Sequence, residues 1–230
     1  MNIELYPKFI LKALLFIFSL LLLANIIGLV FKLNFGNESI YGLIRLFDFD
    51  RENNIPTFYS SLILLAASIL LSFIASAHKK TNSPYIYWAI LSAIFLFLSI
   101  DEISSIHEKF TAPVRELLNT SGSLFLAWVV PYGIFSMLIA LSYIRFLMNL
   151  PKDIMILFVC SGAIYITGAI GFEILGAPYY ESHGNQSLIY SFFYTCEESF
   201  EMIGIAIFIY AILRYITSQF KFLKITVFKK

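Results

Sequence analysis

The sequence is short of what a water-soluble domain of its length depends on. Only 13% of its 230 residues are charged, and it holds 3 histidines and 2 cysteines. So little charge excludes the hydrated surface that a soluble fold of this size presents. The formal net charge of +1 excludes the basic footprint that nucleic-acid binding needs. Cys160 and Cys196 lie inside apolar runs, where a free cysteine acts as a small hydrophobe, so no disulfide framework is expected. No Glu-x-x-His pair is present for a di-iron carboxylate bundle. His107-Glu108 is followed by Lys109, Phe110 and Thr111, which excludes the His-Glu-x-x-His zinc signature. No stretch reads as an appended soluble domain.

What the chain does have is apolar surface: 59% hydrophobic residues, among them 24 Phe and 14 Tyr, and a mean hydropathy of +0.81. One soluble core could not hide this much, so lipid must solvate much of it. A membrane span needs about 20 predominantly apolar residues to cross a hydrocarbon core of roughly 30 Å. Six segments qualify, running from about Phe9 to Phe31, Phe58 to Ala77, Pro84 to Ser105, Leu124 to Leu147, Ile154 to Leu175 and Ile189 to Ile216. The reading is an all-α polytopic transmembrane bundle that forms one integral membrane domain over residues 1–230. Pro131 predicts a kink in the fourth span. In the long polar connection from Lys32 to Thr57, Ile40, Leu43, Ile44 and Leu46 predict a short interfacial helix.

With six spans, the loops that share a side with both termini carry all the basic residues except Lys32, Arg45, Arg51, Lys109 and Arg115. Positive charge marks the cytoplasmic face, so the sequence predicts both termini inside. The lysine-rich tail at Lys221, Lys224, Lys229 and Lys230 reads as a topology anchor or a contact for anionic lipid. Tyr85, Tyr87, Trp88, Trp128, Tyr132, Tyr179 and Tyr180 read most simply as interfacial belt residues.

Against this background the acids stand out, because ionisable side chains in a membrane usually face the bundle interior or a wet cavity. Asp101, Glu102, His107 and Glu108 close the third span, Glu173 lies late in the fifth, and Glu197, Glu198 and Glu201 lie in the first half of the sixth. The predicted topology puts all three groups on the outer side. At about 100° per residue on one continuous helix, Asp101, Ser104, Ser105 and Glu108 share a face, flanked by Glu102 and His107. Tyr194, Glu197, Glu198 and Glu201 form an acidic stripe on the sixth span. Like charges this close cannot all stay ionised in a low dielectric, so either some carboxyls hold protons or a cation sits among them. Gly162, Gly168 and Gly171 would let a neighbouring helix approach closely. A mostly carboxylate site with one histidine suits one or two divalent metal ions. The candidate metal residues are therefore Asp101, Glu102, His107, Glu108, Glu173, Glu198 and Glu201, with no catalytic residue and no organic cofactor site assigned.

The strings Phe47-Asp-Phe-Asp-Arg-Glu-Asn-Asn-Ile-Pro-Thr-Phe-Tyr-Ser-Ser61, Leu98-Ser-Ile-Asp-Glu-Ile-Ser-Ser-Ile-His-Glu108 and Glu197-Glu-Ser-Phe-Glu-Met-Ile-Gly204 resemble a family of bacterial polytopic membrane proteins without an assigned function. That resemblance implies a bacterial inner membrane and no particular activity. In placing acids and histidine on several spans the chain also resembles the alkaline ceramidase-like membrane hydrolases, but that group's paired histidines near the C-terminus are missing. The leading expectation is an outward-facing carboxylate/His intramembrane site, serving a metal-dependent enzyme that acts on a lipid or other hydrophobic substrate. A proton- or cation-coupled carrier is an alternative, as is a non-enzymatic scaffold or assembly partner. The bilayer is the one partner the sequence names; it identifies no protein partner.

Overall fold

A computed structural model describes residues 6–35 and 42–220. Their architecture is all-helical: α1 Pro7–Phe35, α2 Leu43–Phe47, α3 Ile55–Lys80, α4 Ile86–Ser104, α5 Ile106–Leu118, α6 Val129–Met148, α7 Lys152–Ile166, α8 Glu173–His183 and α9 Leu188–Gln219. Six stretches are long and apolar enough to cross a membrane: α1, α3, α4, α6, the continuous rod from α7 to α8, and α9.

The last of these is the axis of the bundle. In α9, 67% of the most apolar window is buried, against 17% in α4 and α6, and it packs against α1, α3, α7 and α8. Glycine sets how closely the rod and α9 approach. A Cβ on Gly168 would sit 2.8 Å from the carbonyl oxygen of Glu197, and one on Gly204 would sit 2.9 Å from the backbone nitrogen of Tyr165. Neither position has room for a side chain. Of the three glycines expected to permit close approach, only Gly168 does so, because a Cβ on Gly162 would meet nothing and one on Gly171 would meet only Thr167 of its own helix.

The other tight pair is the α3–α4 hairpin, held by reciprocal serines. Ser61 Oγ donates to the Ser99 carbonyl at 2.8 Å and Ser99 Oγ to the Ser61 carbonyl at 2.9 Å. Ser68 and Ser92 repeat the exchange at 2.7 and 2.9 Å. Small side chains that hydrogen-bond across an interface let helices approach where lipid provides no hydrophobic drive for association. At the N-terminus of α3, Asn54 caps the helix by accepting from the Thr57 N–H at 3.1 Å, with Pro56 in the first turn, where a missing N–H costs nothing.

Three local expectations need correction. The fourth span begins at Val129, after a 3₁₀ turn at Gly122–Leu124, so Pro131 stands in the first turn, where its missing N–H breaks no intrahelical bond and gives no cause for a kink. The fifth span continues to His183, well past Leu175, and carries a π-helical turn at Thr167–Phe172. The third span ends where expected, at Ser104, but the helix drawn on from it through His107 and Glu108 breaks there, because Ser105 takes a left-handed conformation (φ 50°). The short helix expected in the first loop forms at Leu43–Phe47 with Ile44 buried. Ile40 and the lysine-rich tail lie outside the described residues.

Candidate metal and substrate site

The break at Ser105 builds the first part of the site. It starts a new helix, α5, whose leading N–H groups have no partner within that helix, and Asp101 turns back to meet one of them. The His107 N–H donates to Asp101 Oδ1 at 2.8 Å, and the His107 ring nitrogen Nδ1 lies 3.4 Å from the same oxygen. Lys109 Nζ donates to the Ser104 carbonyl at 2.9 Å, which satisfies one of the carbonyls that α4 leaves open. The single helical face drawn through Asp101, Ser104, Ser105 and Glu108 therefore does not exist. His107, expected to flank that face, is folded onto Asp101 instead.

The second part comes from the first loop. Phe49 N–H donates to Asn25 Oδ1 at 3.0 Å, and Asn54 Nδ2 donates to the Asp48 carbonyl at 2.6 Å. Asp48 in turn lies 3.9 Å from Lys32 Nζ and 3.7 Å from Arg51 Nε. Pinned in this way, the loop delivers Glu52 to His107, with Glu52 Oε1 3.9 Å from His107 Nε2. One donor atom each from Glu52, His107 and Glu108 lies within 4.8 Å of the others. Glu52 Oε2 is buried with no hydrogen-bond partner among the described residues. Glu52 is absent from the candidate residues because in the sequence it is one acid of a polar loop. The cap signal Asn54-x-x-Thr57 around Pro56 was the available hint that this loop is structured and not trailing in water.

The third part comes from the rod and α9. The π-turn, a feature often found at functional sites, ends at Glu173, which accepts from Trp128 Nε1 at 2.7 Å and lies beside Glu197. Tyr165 lies beside Glu201, and Glu102 interacts electrostatically with both Glu198 and Glu201. Asp101, Glu102, Glu173 and Glu201 are all buried. No lysine or arginine among the described residues pairs with Glu102, Glu198 or Glu201 within ion-pair distance.

The structure therefore brings Asp101, Glu102, His107, Glu198 and Glu201 to one cavity of about 470 Å³, together with Glu52 and Glu197. Glu173 stands behind it through Trp128 and Glu197, and Glu108 is exposed at the rim. Tyr194, assigned to the acidic stripe, faces Asp48 and Asp50 instead. His183 ends α8 in an exposed position and joins none of these groups.

The cavity is acidic at one end only. Beyond the carboxylates it runs between α4, α6, α7 and α9, lined by Phe95, Phe135, Ile139, Phe158, Ile205 and Phe208 with small residues between them. Two ionisable groups of this cavity lie outside the spans, and both are strongly shifted. Burial, with repulsion from Glu102, Glu108 and Asp101, pushes the Glu52 carboxyl up to about 8. Burial opposes charge on His107, but its contact with Asp101 and the negative charge of Glu52 and Glu102 outweigh that and raise it to about 9. The site thus favours positive charge, whether as a proton or as a metal ion.

Residues 14–216 match the family described as Domain of unknown function (DUF8692), and the chain belongs to that family. No curated protein and no solved structure matches it.

Proposed function

We propose that this member of the family is a divalent-metal-dependent membrane enzyme acting on a hydrophobic substrate. The observation that carries the reading is one cavity that joins Glu52 and His107, two members of a metal-competent group whose third, Glu108, stands at the rim, and the neighbouring carboxylates to an apolar arm. The donor set fits a divalent ion: carboxylates supply hard oxygens, one imidazole adds a nitrogen ligand, and the orphaned Glu52 Oε2 gains a partner. Such an ion would supply Lewis acidity toward an ester or phosphoester and toward water.

The chain's own residues do the rest. Asp101 holds the His107 backbone and fixes the ring's orientation from its Nδ1 side, as outer-sphere carboxylates do at metal-bound imidazoles. Glu102 from α4 and Glu198 and Glu201 from α9 complete the negative field, and Trp128 fixes Glu173 behind them. The excess of basic residues at the other end of the bundle supports placing that end in the cytoplasm and the site outward, and the family resemblance supports a bacterial inner membrane. A carrier would need polar groups leading on from the acids, but the rest of the cavity lining is mostly apolar, which favours the enzyme.

The test is the metal content of detergent-purified protein by mass spectrometry, with wild type compared with Glu52→Gln, Glu198→Gln and Asp101→Asn after matched washing. Near-stoichiometric metal in the wild type that falls in all three variants is the expected outcome. A wild type without metal, under conditions that retain weakly held ions, would overturn the reading in favour of a carrier or a scaffold.

A further inference from the structure

Resting on that reading of the acidic end, we propose that the apolar arm is the seat of a single hydrocarbon tail of a bilayer lipid, which enters sideways through a window between α4 and α6. The two helices pack against different neighbours, α4 on α3 and α6 on α7, and they meet each other at two levels. At the basic end, Tyr143 OH donates to the Tyr87 carbonyl at 2.8 Å and Tyr87 stacks on Phe146 at 5.3 Å. At the acidic end, Phe97 lies 6.5 Å from Tyr132. Between these two closures α6 presents Ser136, Ile139 and Ala140 to the cavity and α4 presents Ile94, Phe95 and Leu98. The flanking surface of α6, with Ile134, Met137, Leu138 and Leu141 exposed, faces the hydrocarbon region, so the window opens on lipid.

Dimensions select the occupant. From Tyr132 to Tyr143 the helical rise gives about 16 Å, close to half of a hydrocarbon core of roughly 30 Å. The slot is therefore one leaflet deep, the depth of one lipid tail whose head stays level with the carboxylates. A helix of about 10 Å diameter and this length would need more than twice the cavity's volume, so a peptide does not fit.

Chemistry agrees with the dimensions. Of the hydroxyls along the arm, two are already spent on backbone, Ser161 Oγ donating to the Phe158 carbonyl at 3.0 Å and Tyr143 OH to the Tyr87 carbonyl, and Ser136 is the one serine left to face the apolar lining. A cavity that offers water few partners stays dry and takes apolar guests. Gly162 keeps the slot open, since a Cβ there would meet nothing within 4 Å.

The experiment places the full chain in vesicles of phosphatidylethanolamine and phosphatidylglycerol doped with a phosphatidylglycerol that carries a diazirine near the end of one acyl tail. After photolysis, the expected labels fall on α7 and α9 around Phe158 and Phe208. Gly162→Phe, and separately Ala140→Trp, should lower those labels at least about tenfold while labelling of Met137 and Leu138 on the outer surface persists and metal content stays at the wild-type level. Labels confined to the outer surface of α6, or interior labels that both variants leave unchanged, would overturn the proposal. Metal content separates it from the reading it rests on. Interior labelling without metal would sink the metal site and leave the tail slot standing, and metal without interior labelling would do the reverse.

Discussion

At the basic end of the bundle Trp88 is 2% exposed, with Tyr215 at 4.6 Å, Phe146 at 4.9 Å and His78 stacked at 6.0 Å, and His78 Nε2 is hydrogen-bonded to Tyr215 OH at 2.9 Å. The acidic end is built differently. There α4 is broken by a left-handed serine, the rod from α7 to α8 is loosened by a π-turn, and buried Glu102 and Glu201 stand without a lysine or arginine partner among the described residues. One end spends its aromatic residues on closure, and the other accepts unpaired charge and irregular backbone around an open cavity. A protein keeps costly features of the second kind where a ligand can compensate them. The basic end secures the fold, and the acidic end is where chemistry is to be sought.

That contrast can be broken by experiment. The largest effect is expected for Trp88→Ala, which should destabilise the protein by about 3–5 kcal/mol through loss of a large buried ring. Denaturant unfolding would measure this, and metal content at permissive temperature should not change. If it fell, the two ends would be coupled. A smaller effect, on both stability and metal, is expected for Gly168→Ala. Its new Cβ must displace the backbone at Glu197 and Glu201, at a cost of about 1–3 kcal/mol, and the carboxylates should lose register. Gly162→Ala on the same rod should instead be neutral or stabilise by about 0.5–1 kcal/mol. Thermal unfolding and metal analysis of the pair would show whether close approach, and not glycine as such, sets the site.

The mildest perturbation is pH. Glu52, pushed up to about 8, and His107, raised to about 9, both hold protons near neutrality and must release them to a metal. Metal affinity should therefore strengthen as pH rises through about 8 to 9, with protons released in a weakly buffered titration. In the metal-free protein the sign reverses. The stabilising contribution of protonated His107 is complete below its ordinary value of 6.5 and is lost as pH rises through about 9. A pH-independent affinity would remove Glu52 and His107 from the ligand set.

The six spans and the acids were legible in the sequence because both depend on local signals, namely the length of apolar runs and the rarity of charge within them. The helical wheel through residues 101–108 failed because nothing in Ser104-Ser105 marks a break. Serine carries no turn signal as strong as glycine or proline, and the left-handed Ser105 is held in place by the bond from the His107 N–H back to Asp101. Glu52 was missed for a different reason. Its place depends on Asn25 of α1 and on Lys32, contacts that no window around residue 52 contains. Trp128, read as a belt residue, is buried and bonded to Glu173, because its indole N–H found a partner inside the bundle.

The helix at the centre of the bundle also comes after the other five spans in the chain. An acidic side chain near the middle of a span adds about 2.5–3.5 kcal/mol to its insertion from the translocon, and α9 carries Glu197, Glu198 and Glu201. The elements that wall the cavity around these side chains, α4, α6 and the rod among them, precede α9 in synthesis. Completion of the bundle and assembly of the site are thus a single biogenic event. Removing the α9 glutamates should ease that event, raising the yield of inserted protein in the same variants that lose the site.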